Sequence, residues 1–357
     1  MDPYSIVFVI SAAGFTRSLY AASLSLSFIC LAPPYPPKYA GLGLTPTRSV
    51  DIPISAVILA FFIASAAFNM TIFQLNKRRG HKFILSGLFF GFSMARISAN
   101  VMRIVWACYP KNVRIAIAAQ ILANAGVIII FIVNLILVQR VLRAYHPRLG
   151  WSMPARILLR SLIASVIGCL IMLIVCLIIS IYTLKQSTID QTHIAQTVAL
   201  TYFAFLAFLP VPIIGLCFVI PRRQRIEKFG TGSMRYKLFL ILFTSCLLTL
   251  GAAFRAGVIY YRVPPTEPRW FQSKACFYCF NYLIELIVVF TYALSRFDKR
   301  FHIPNGSSAP GHYANGVPGS DGAVFDEELP ASASEQTMTD GDWAMEFQNK
   351  TAPKASV

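Results

Sequence analysis

The residues able to do chemistry in this chain interrupt long apolar stretches. Residues 93–107, SMARISANVMRIVWA, carry Arg96, Asn100 and Arg103 at positions i, i+4 and i+7. On a helix these positions fall within an arc of about 60°, so the three side chains form one polar stripe. Glu285 and Arg255 interrupt two further apolar stretches. Groups of this kind form ion pairs or bind charged ligands when an apolar environment surrounds them.

The amino-acid composition indicates whether water or lipid surrounds these stretches. Hydrophobic residues make up 56% of the 357 residues and charged residues 13%, against roughly 45–50% and 25% in soluble domains. A soluble domain of this length has too little interior to hide so much apolar surface. The sequence therefore predicts an all-α, polytopic membrane protein.

Seven apolar segments are long enough to cross a hydrocarbon core of ~30 Å. They cover residues 52–75, 83–106, 115–138, 157–182, 195–220, 238–261 and 275–294. The predicted organisation is an N-terminal segment 1–51, a seven-helix transmembrane domain 52–300 and a tail 301–357. We call the seven segments predicted spans one to seven.

The basic residues of the connections alternate between the two sides of the membrane. Lys and Arg number four in residues 76–82, five in 140–160 and six in 221–237, but two in 107–114, one in 183–194 and three in 262–274. Cytoplasmic loops carry the excess of basic residues. We therefore expect the N-terminal side of span one outside, the C-terminus in the cytoplasm, and the basic loops against anionic lipid of the inner leaflet. This placement argues against nucleic-acid binding.

The two ends of the chain differ from the spans. Residues 6–31 are apolar but contain Arg17 and five serines, and three interpretations stay open: an extra span, an uncleaved anchor or a poor signal peptide. A Pro-rich linker follows. Residues 305–357 hold eight acids and two lysines and are rich in Gly, Pro and Ser, which is typical of a disordered, here cytoplasmic, tail.

Depth along the spans suggests how the charges pair. Arg96 and Glu285 each lie about ten residues from either end of a span, and Arg255 lies on the neighbouring span six. Our hypothesis is that Glu285, taken as the only acid inside the membrane, is a counter-ion shared by Arg96 and Arg255. Arg103 is closer to the outer interface, and we expect it to extend to the headgroups.

Other polar residues lie on the same faces. Tyr278, Asn281 and Tyr292 share a stripe with Glu285 on span seven, and span three carries Gln120, Asn124 and Asn134. One interpretation is a polar cavity between spans two, three, six and seven. The other is interhelical contact, worth only about 0.6 kcal/mol per group. The candidate polar site consists of Arg96, Asn100, Arg255, Asn281 and Glu285.

Several classes of site find no support in the sequence. All five histidines fall in predicted connections or the tail, and neither a P-loop nor a nucleophile elbow occurs, so we predict no enzyme, no metal and no cofactor. Cys108 and either Cys276 or Cys279 lie at predicted outer ends of spans, where a disulfide and free thiols both stay open.

The sequence also resembles a known group of proteins. The runs DIPISAVILAFFIASAAFNMTIFQLNKRRGHKF, GFSMARISANVMRIVWACYPKNVRIAIAAQIL, VNLILVQRVLRAYHPRLGW and LIELIVVFTYALSRFDKRFHIP, within residues 42–304, resemble an uncharacterised family of fungal seven-span membrane proteins. More distantly, FRAGVIYY and YCFNYLIELIVVFTYAL are similar to fungal lipid-translocating exporters of the sterol- and drug-resistance type. That second resemblance implies an arginine on span six, matched by Arg255, and a role with lipids.

Three functions remain as hypotheses. The first is a transporter or lipid-handling protein with a polar site between spans two, six and seven. The second is a receptor-like sensor, which would share the seven-span topology. The third is a structural organiser of the membrane whose basic loops hold anionic lipid.

Overall fold

The computed structural model describes residues 33–36, 38–80, 83–221 and 226–315. Within these ranges the chain is helical, without strands, and seven helices are long and apolar enough to cross a membrane. They are α1 (Arg48–Arg78), α2 (Ile84–Cys108), α3 (Val113–Tyr145), α4 (Met153–Tyr182), α5 (Gln186–Val219), α6 (Met234–Tyr260) and α7 (Lys274–Leu294). The predicted fold, a multi-pass bundle of seven transmembrane helices, is confirmed.

The helices extend beyond the apolar segments from which they were predicted. Helix α5 begins at Gln186 rather than at residue 195, because the polar sequence QSTIDQTHI continues the helix past its hydrophobic part. Helix α1 begins at Arg48 and so includes Asp51, which the prediction left in the N-terminal segment. This shift of four residues proves important for the site.

Three helices are interrupted inside the bundle. Helix α3 breaks at Gly126. Helix α5 breaks at Leu209, before Pro210, a residue that cannot donate a backbone hydrogen bond. Helix α7 contains a π-helical turn at Cys279–Leu283. Such turns occur often at functional sites, and this one lies directly before Glu285.

The helices pack in the order of the chain. Each helix contacts the next one, α7 also contacts α1, and α3 contacts α2, α4, α5 and α6. We call the end of the bundle that carries Cys108 and Lys274, predicted to face outside, the outer end. The opposite end, at Arg78 and Leu294, is the inner end.

Residues 38–47 cross the outer end and form what we call the outer strap. Lys38 hydrogen-bonds Gln186 at the start of α5, and the Ala40 N–H donates to the Val263 carbonyl after α6 (2.8 Å). Gly43 packs against α7 with φ +81°, where an added Cβ would lie 2.5 Å from the Phe277 ring. Only glycine fits this approach. The strap thus joins the outer ends of α5, α6 and α7 before the chain enters α1.

The inner end is covered by two segments, residues 226–233 and 297–313, which we call the inner plug. Their aromatic rings pack at steep angles next to Trp151: the centroid of the Tyr313 ring lies 5.5 Å from that of Trp151 and 5.6 Å from that of Phe229. Arg140 of α3 donates to the Phe301 carbonyl at 2.6 Å. The prediction of a disordered tail from residue 301 is therefore wrong for its first part, because these aromatic residues bury in the bundle. Residues 6–31 and 316–357 lie outside the described residues.

Candidate functional site

The centre of the bundle holds the ion pair predicted from depth. Arg96 is the midpoint of α2, and its Nη2 lies 2.6 Å from Glu285 Oε1 while its Nε lies 2.5 Å from Oε2. The two side chains are 0% and 2% exposed. The Nη2–Oε1 contact is a charged hydrogen bond, which is stronger than a neutral one, and the Nε–Oε2 contact is an ion pair without hydrogen-bond geometry.

Arg255 reaches the same carboxylate from α6. Its Nη1 lies 3.3 Å from Glu285 Oε1, and its side chain is 10% exposed. Arg96 makes a further hydrogen bond, to the Ala123 carbonyl (2.6 Å). Glu285 is thus shared by two arginines, as the hypothesis stated. The three groups, which we call the central cluster, carry a net charge of +1.

Glycine makes room for the Arg96 side chain. Gly126, where α3 breaks, faces Arg96, and an added Cβ would lie 3.2 Å from its Cζ and Nε. Such a contact is tighter than side chains normally accept. The interruption of α3 and the absence of a side chain at Gly126 therefore both leave space for the Arg96 guanidinium.

The two predicted amides lie beside the central cluster. Asn100 Nδ2 donates to the Arg96 carbonyl (2.8 Å), which is a contact within its own helix. The Oδ1 atoms of Asn100 and Asn281 are buried and receive no hydrogen bond from the part of the chain that the structure describes. Each amide lies one helical turn from a charged member of the central cluster, on the side of the outer end.

A second charged cluster, which the sequence analysis missed, lies closer to the outer end. Asp51 of α1 is fully buried. Its Oδ1 contacts Arg103 Nη2 (2.9 Å) and the Tyr278 hydroxyl (2.8 Å), and its Oδ2 contacts Lys274 Nζ (2.6 Å). We call these four residues the outer cluster. It also holds the outer strap, because Arg103 Nη2 donates to the Gly43 carbonyl (2.7 Å).

The outer cluster corrects two predictions. Arg103 does not extend to the headgroups: it is 4% exposed and points inward, because a carboxylate lies within reach in the bundle. Glu285 is not the only buried acid either, since Asp51 and Asp298 are 0% and 3% exposed. Lys274 and Tyr278, four residues apart on α7, were the available signal for an acid opposite them.

A third, uncharged network lies toward the inner end. The Tyr292 hydroxyl of α7 donates to Asn134 Oδ1 of α3 (2.6 Å) and contacts Thr244 Oγ1 of α6 (2.7 Å). Asn134 donates in turn to Ser245 Oγ (3.1 Å). Helix α7 therefore makes polar contacts with α1, α2, α3 and α6 at three depths.

Of the two alternatives left open for the outer cysteines, the structure has the free thiols. Cys108, Cys276 and Cys279 are all free thiols. The Cys276 Sγ faces the Trp270 carbonyl at 3.8 Å, and Cys279 is exposed on the surface of α7. Cys276 and Cys279 therefore lie in different surroundings, the first next to a backbone carbonyl and the second on the helix surface.

Among the residues that the structure describes, the cavity beside the polar site is small. A cavity of about 10 Å³ lies beside Arg255, which is room for about one water molecule. Its walls come from α3, α4, α5 and α6, namely Asn124, Val127, Phe131, Leu173, Leu200, Phe203, Ala252 and Arg255. Of the two interpretations of the polar residues, the contacts between helices are the one that the described side chains display.

Comparison with known proteins adds a partial family match. Residues 233–302 match the family described as "Protein of unknown function (DUF3112)". This range includes α6 and α7, and so Arg255 and Glu285. Neither the curated proteins nor the solved structures contain a match to this chain.

Proposed function

We propose that this protein binds an anionic group at Arg255 and is a transporter or lipid-handling protein. The observation that carries the proposal is the shared carboxylate: Arg96 and Arg255 have one acid, Glu285, between them. An unbalanced charge at bilayer depth costs at least about 2.5–3.5 kcal/mol. A bound anion would remove that cost, so the central cluster is a site with a built-in preference for negative charge.

Arg255 is the arginine available to a ligand. Arg96 is held by two contacts to Glu285 and one to the Ala123 carbonyl, and it is fully buried. Arg255 contacts the same carboxylate by one longer contact and is partly exposed toward Asn124 and the small cavity. A guanidinium with unused donors matches carboxylate and phosphate groups in shape and charge.

The resemblance of span six to lipid-translocating exporters agrees with a lipid as the ligand, and it belongs to the same proposal. Anionic lipid is also the partner that we propose for the basic residues of the inner end. There Arg78, Arg148 and Arg235 are exposed, whereas the acids Glu227 and Asp298 are partly or fully buried. Each exposed basic residue near an anionic leaflet contributes about 1 kcal/mol.

A receptor-like sensor is the second candidate, and one observation favours it. Helix α7 contacts four other helices through polar side chains and contains a π-helical turn beside Glu285. A ligand at Arg255 could therefore change the position of α7 without itself crossing the membrane. A structural organiser would need neither binding nor movement at Arg255.

The test is the transfer of a fluorescent anionic phospholipid between leaflets of proteoliposomes. We compare the native protein with Arg255→Gln and with Arg114→Gln, which removes an exposed arginine at the outer end of α3. We expect Arg255→Gln to lower the rate at least about tenfold, because a charged hydrogen bond is lost, and Arg114→Gln to leave it unchanged. Equal rates in all three proteins would overturn the role of Arg255. Binding without transfer would favour the sensor.

A further inference from the structure

We propose that the ligand reaches Arg255 sideways from the lipid, between α4 and α5, and is therefore an anionic amphiphile with a long alkyl chain. This inference rests on the proposed function and adds the route and the substrate class. It follows from three features of the structure: two closed ends, a thin side wall and an apolar lining next to one cation.

Within the part of the chain that the structure describes, the outer end offers no open path to the central cluster. The outer strap passes from Lys38 at α5 to Thr47 at α1, and Gln272 Nε2 donates back to the Ala40 carbonyl (2.9 Å). Beneath the strap the outer cluster joins α1, α2 and α7 through the buried carboxylate of Asp51. A water-soluble anion would have to break this cluster to reach Arg255 from outside.

The inner end is closed by the inner plug. The Gly311 N–H donates to Glu227 Oε1 (2.8 Å), and the Thr231 N–H donates to the Lys299 carbonyl (3.0 Å), so the two segments of the plug hold each other. Phe229 and Phe301 are buried beneath them. The Tyr292 network lies between this plug and the central cluster. Entry from the inner aqueous side would require this whole layer to move.

The side of the bundle at α4 is less deeply buried than the helices around the central cluster. In the most apolar part of α4, 17% of the residues are buried, against 56% in α7. Leu173 of α4 lines the small cavity beside Arg255, while Ile171 and Val175, two positions away on either side, are exposed on the outer surface of the helix. A single helix, α4, therefore separates the cavity beside Arg255 from the surrounding lipid on this side.

The lining of the cavity selects the chemistry of the ligand. Arg255 and Asn124 supply the polar part, and the other six lining residues are apolar, among them Phe131, Leu200 and Phe203. A carboxylate or phosphate would contact Arg255, and an alkyl chain would lie along the apolar walls. Because the cavity holds about one water molecule, the chain enters only as Leu173 and Leu200 give way. The contact of α4 with α5 at this depth is apolar, whereas the Ser165–Tyr202 hydrogen bond lies further toward the inner end.

The experiment is photolabelling of the full-length protein in nanodiscs with a long-chain fatty acid that carries a diazirine, followed by peptide mapping. The variants are Arg255→Gln, Leu200→Trp, which fills the cavity, and Leu216→Trp, which places the same bulk on an exposed position of α5. Folding of each variant is checked by its thermal unfolding. Unlabelled long-chain fatty acid and acetate serve as competitors.

We expect labelling on α4 and α5 that falls at least about tenfold in Arg255→Gln and Leu200→Trp, since each removes part of one site, and that stays unchanged in Leu216→Trp. Unlabelled fatty acid should compete and acetate should not. Acetate that competes equally well would overturn the lateral route while leaving anion binding at Arg255 intact. Labelling that persists in Arg255→Gln would overturn the proposed function as well. If Leu200→Trp does not fold, the two competitors and Arg255→Gln still decide the matter.

Discussion

At the scale of single residues, Glu285 balances the charges at the centre of the membrane. Its carboxylate is the common partner of Arg96 and Arg255. Removing Arg255 and removing Glu285 have different consequences for this balance. Loss of Arg255 leaves a neutral Arg96–Glu285 pair, whereas loss of Glu285 leaves two buried cations.

This difference gives the first prediction. Glu285→Gln should lower the free energy of unfolding by about 3–5 kcal/mol, because a partner of a buried ion pair is removed. Arg255→Gln should leave stability unchanged or raise it, since the remaining pair is balanced. Thermal unfolding in the same detergent measures both variants. Equal losses would show that the charge balance of the central cluster does not govern stability.

Asp51 has the same role in the outer cluster and carries the second prediction. Asp51→Asn leaves Arg103 and Lys274 without a carboxylate, and we expect a loss of about 3–5 kcal/mol. The control is Asp190→Asn, which breaks an exposed pair with Arg262 and should cost about 0–1 kcal/mol. A similar, small effect of both substitutions would mean that the Asp51 contacts are as weak as surface ones.

At the scale of the helices, the approach of α6 to α7 depends on one glycine at the π-helical turn. An added Cβ at Gly251 would lie 2.9 Å from the Phe280 carbonyl, a backbone atom that cannot move aside without moving α7. The turn and the close approach together place Arg255 and Glu285 within reach of one another. This is where the geometry of the central cluster originates.

The third prediction compares two glycines of the same helix. Gly251→Ala should destabilise the protein by about 1–3 kcal/mol, because it overpacks the contact with α7. Gly257→Ala adds a Cβ that meets nothing within 4 Å, and it should be neutral or stabilise by up to about 1 kcal/mol because alanine favours the helix. Both are measured by thermal unfolding. The prediction fails if the two variants behave alike.

The helices also show which parts of the site can be predicted from the sequence. Arg96 and Glu285 could be paired from sequence because both lie deep in long apolar stretches, where a charge needs a partner. Asp51 could not, because it lies next to Pro53 at the edge of an apolar stretch, and hydropathy does not say that α1 starts before it. The packing of Phe301 and Tyr313 was equally hidden, since two aromatic residues in a polar stretch give no periodic pattern.

At the scale of the whole molecule, the two ends are closed by different means. The outer end uses a charged cluster under a strap, and the inner end uses aromatic rings and backbone contacts under a plug. Basic side chains remain exposed at the inner end, including Arg78, Lys228 and Lys299. The bundle is thus electrically asymmetric along the membrane normal, and this asymmetry predicts its orientation.

The last prediction tests that orientation. Lys111→Cys places a thiol on the outer α2–α3 loop, and Arg235→Cys places one at the start of α6, at the inner end; both positions are exposed. A membrane-impermeant maleimide applied to intact cells should label Lys111→Cys but not Arg235→Cys, with the native protein as the blank for its own thiols. Permeabilised cells should label both. The expectation follows from the retention of basic loops in the cytoplasm during insertion. If Arg235→Cys alone were labelled in intact cells, the orientation of the bundle would be opposite to the predicted one. The basic surface that we assign to the inner leaflet would then face the outside.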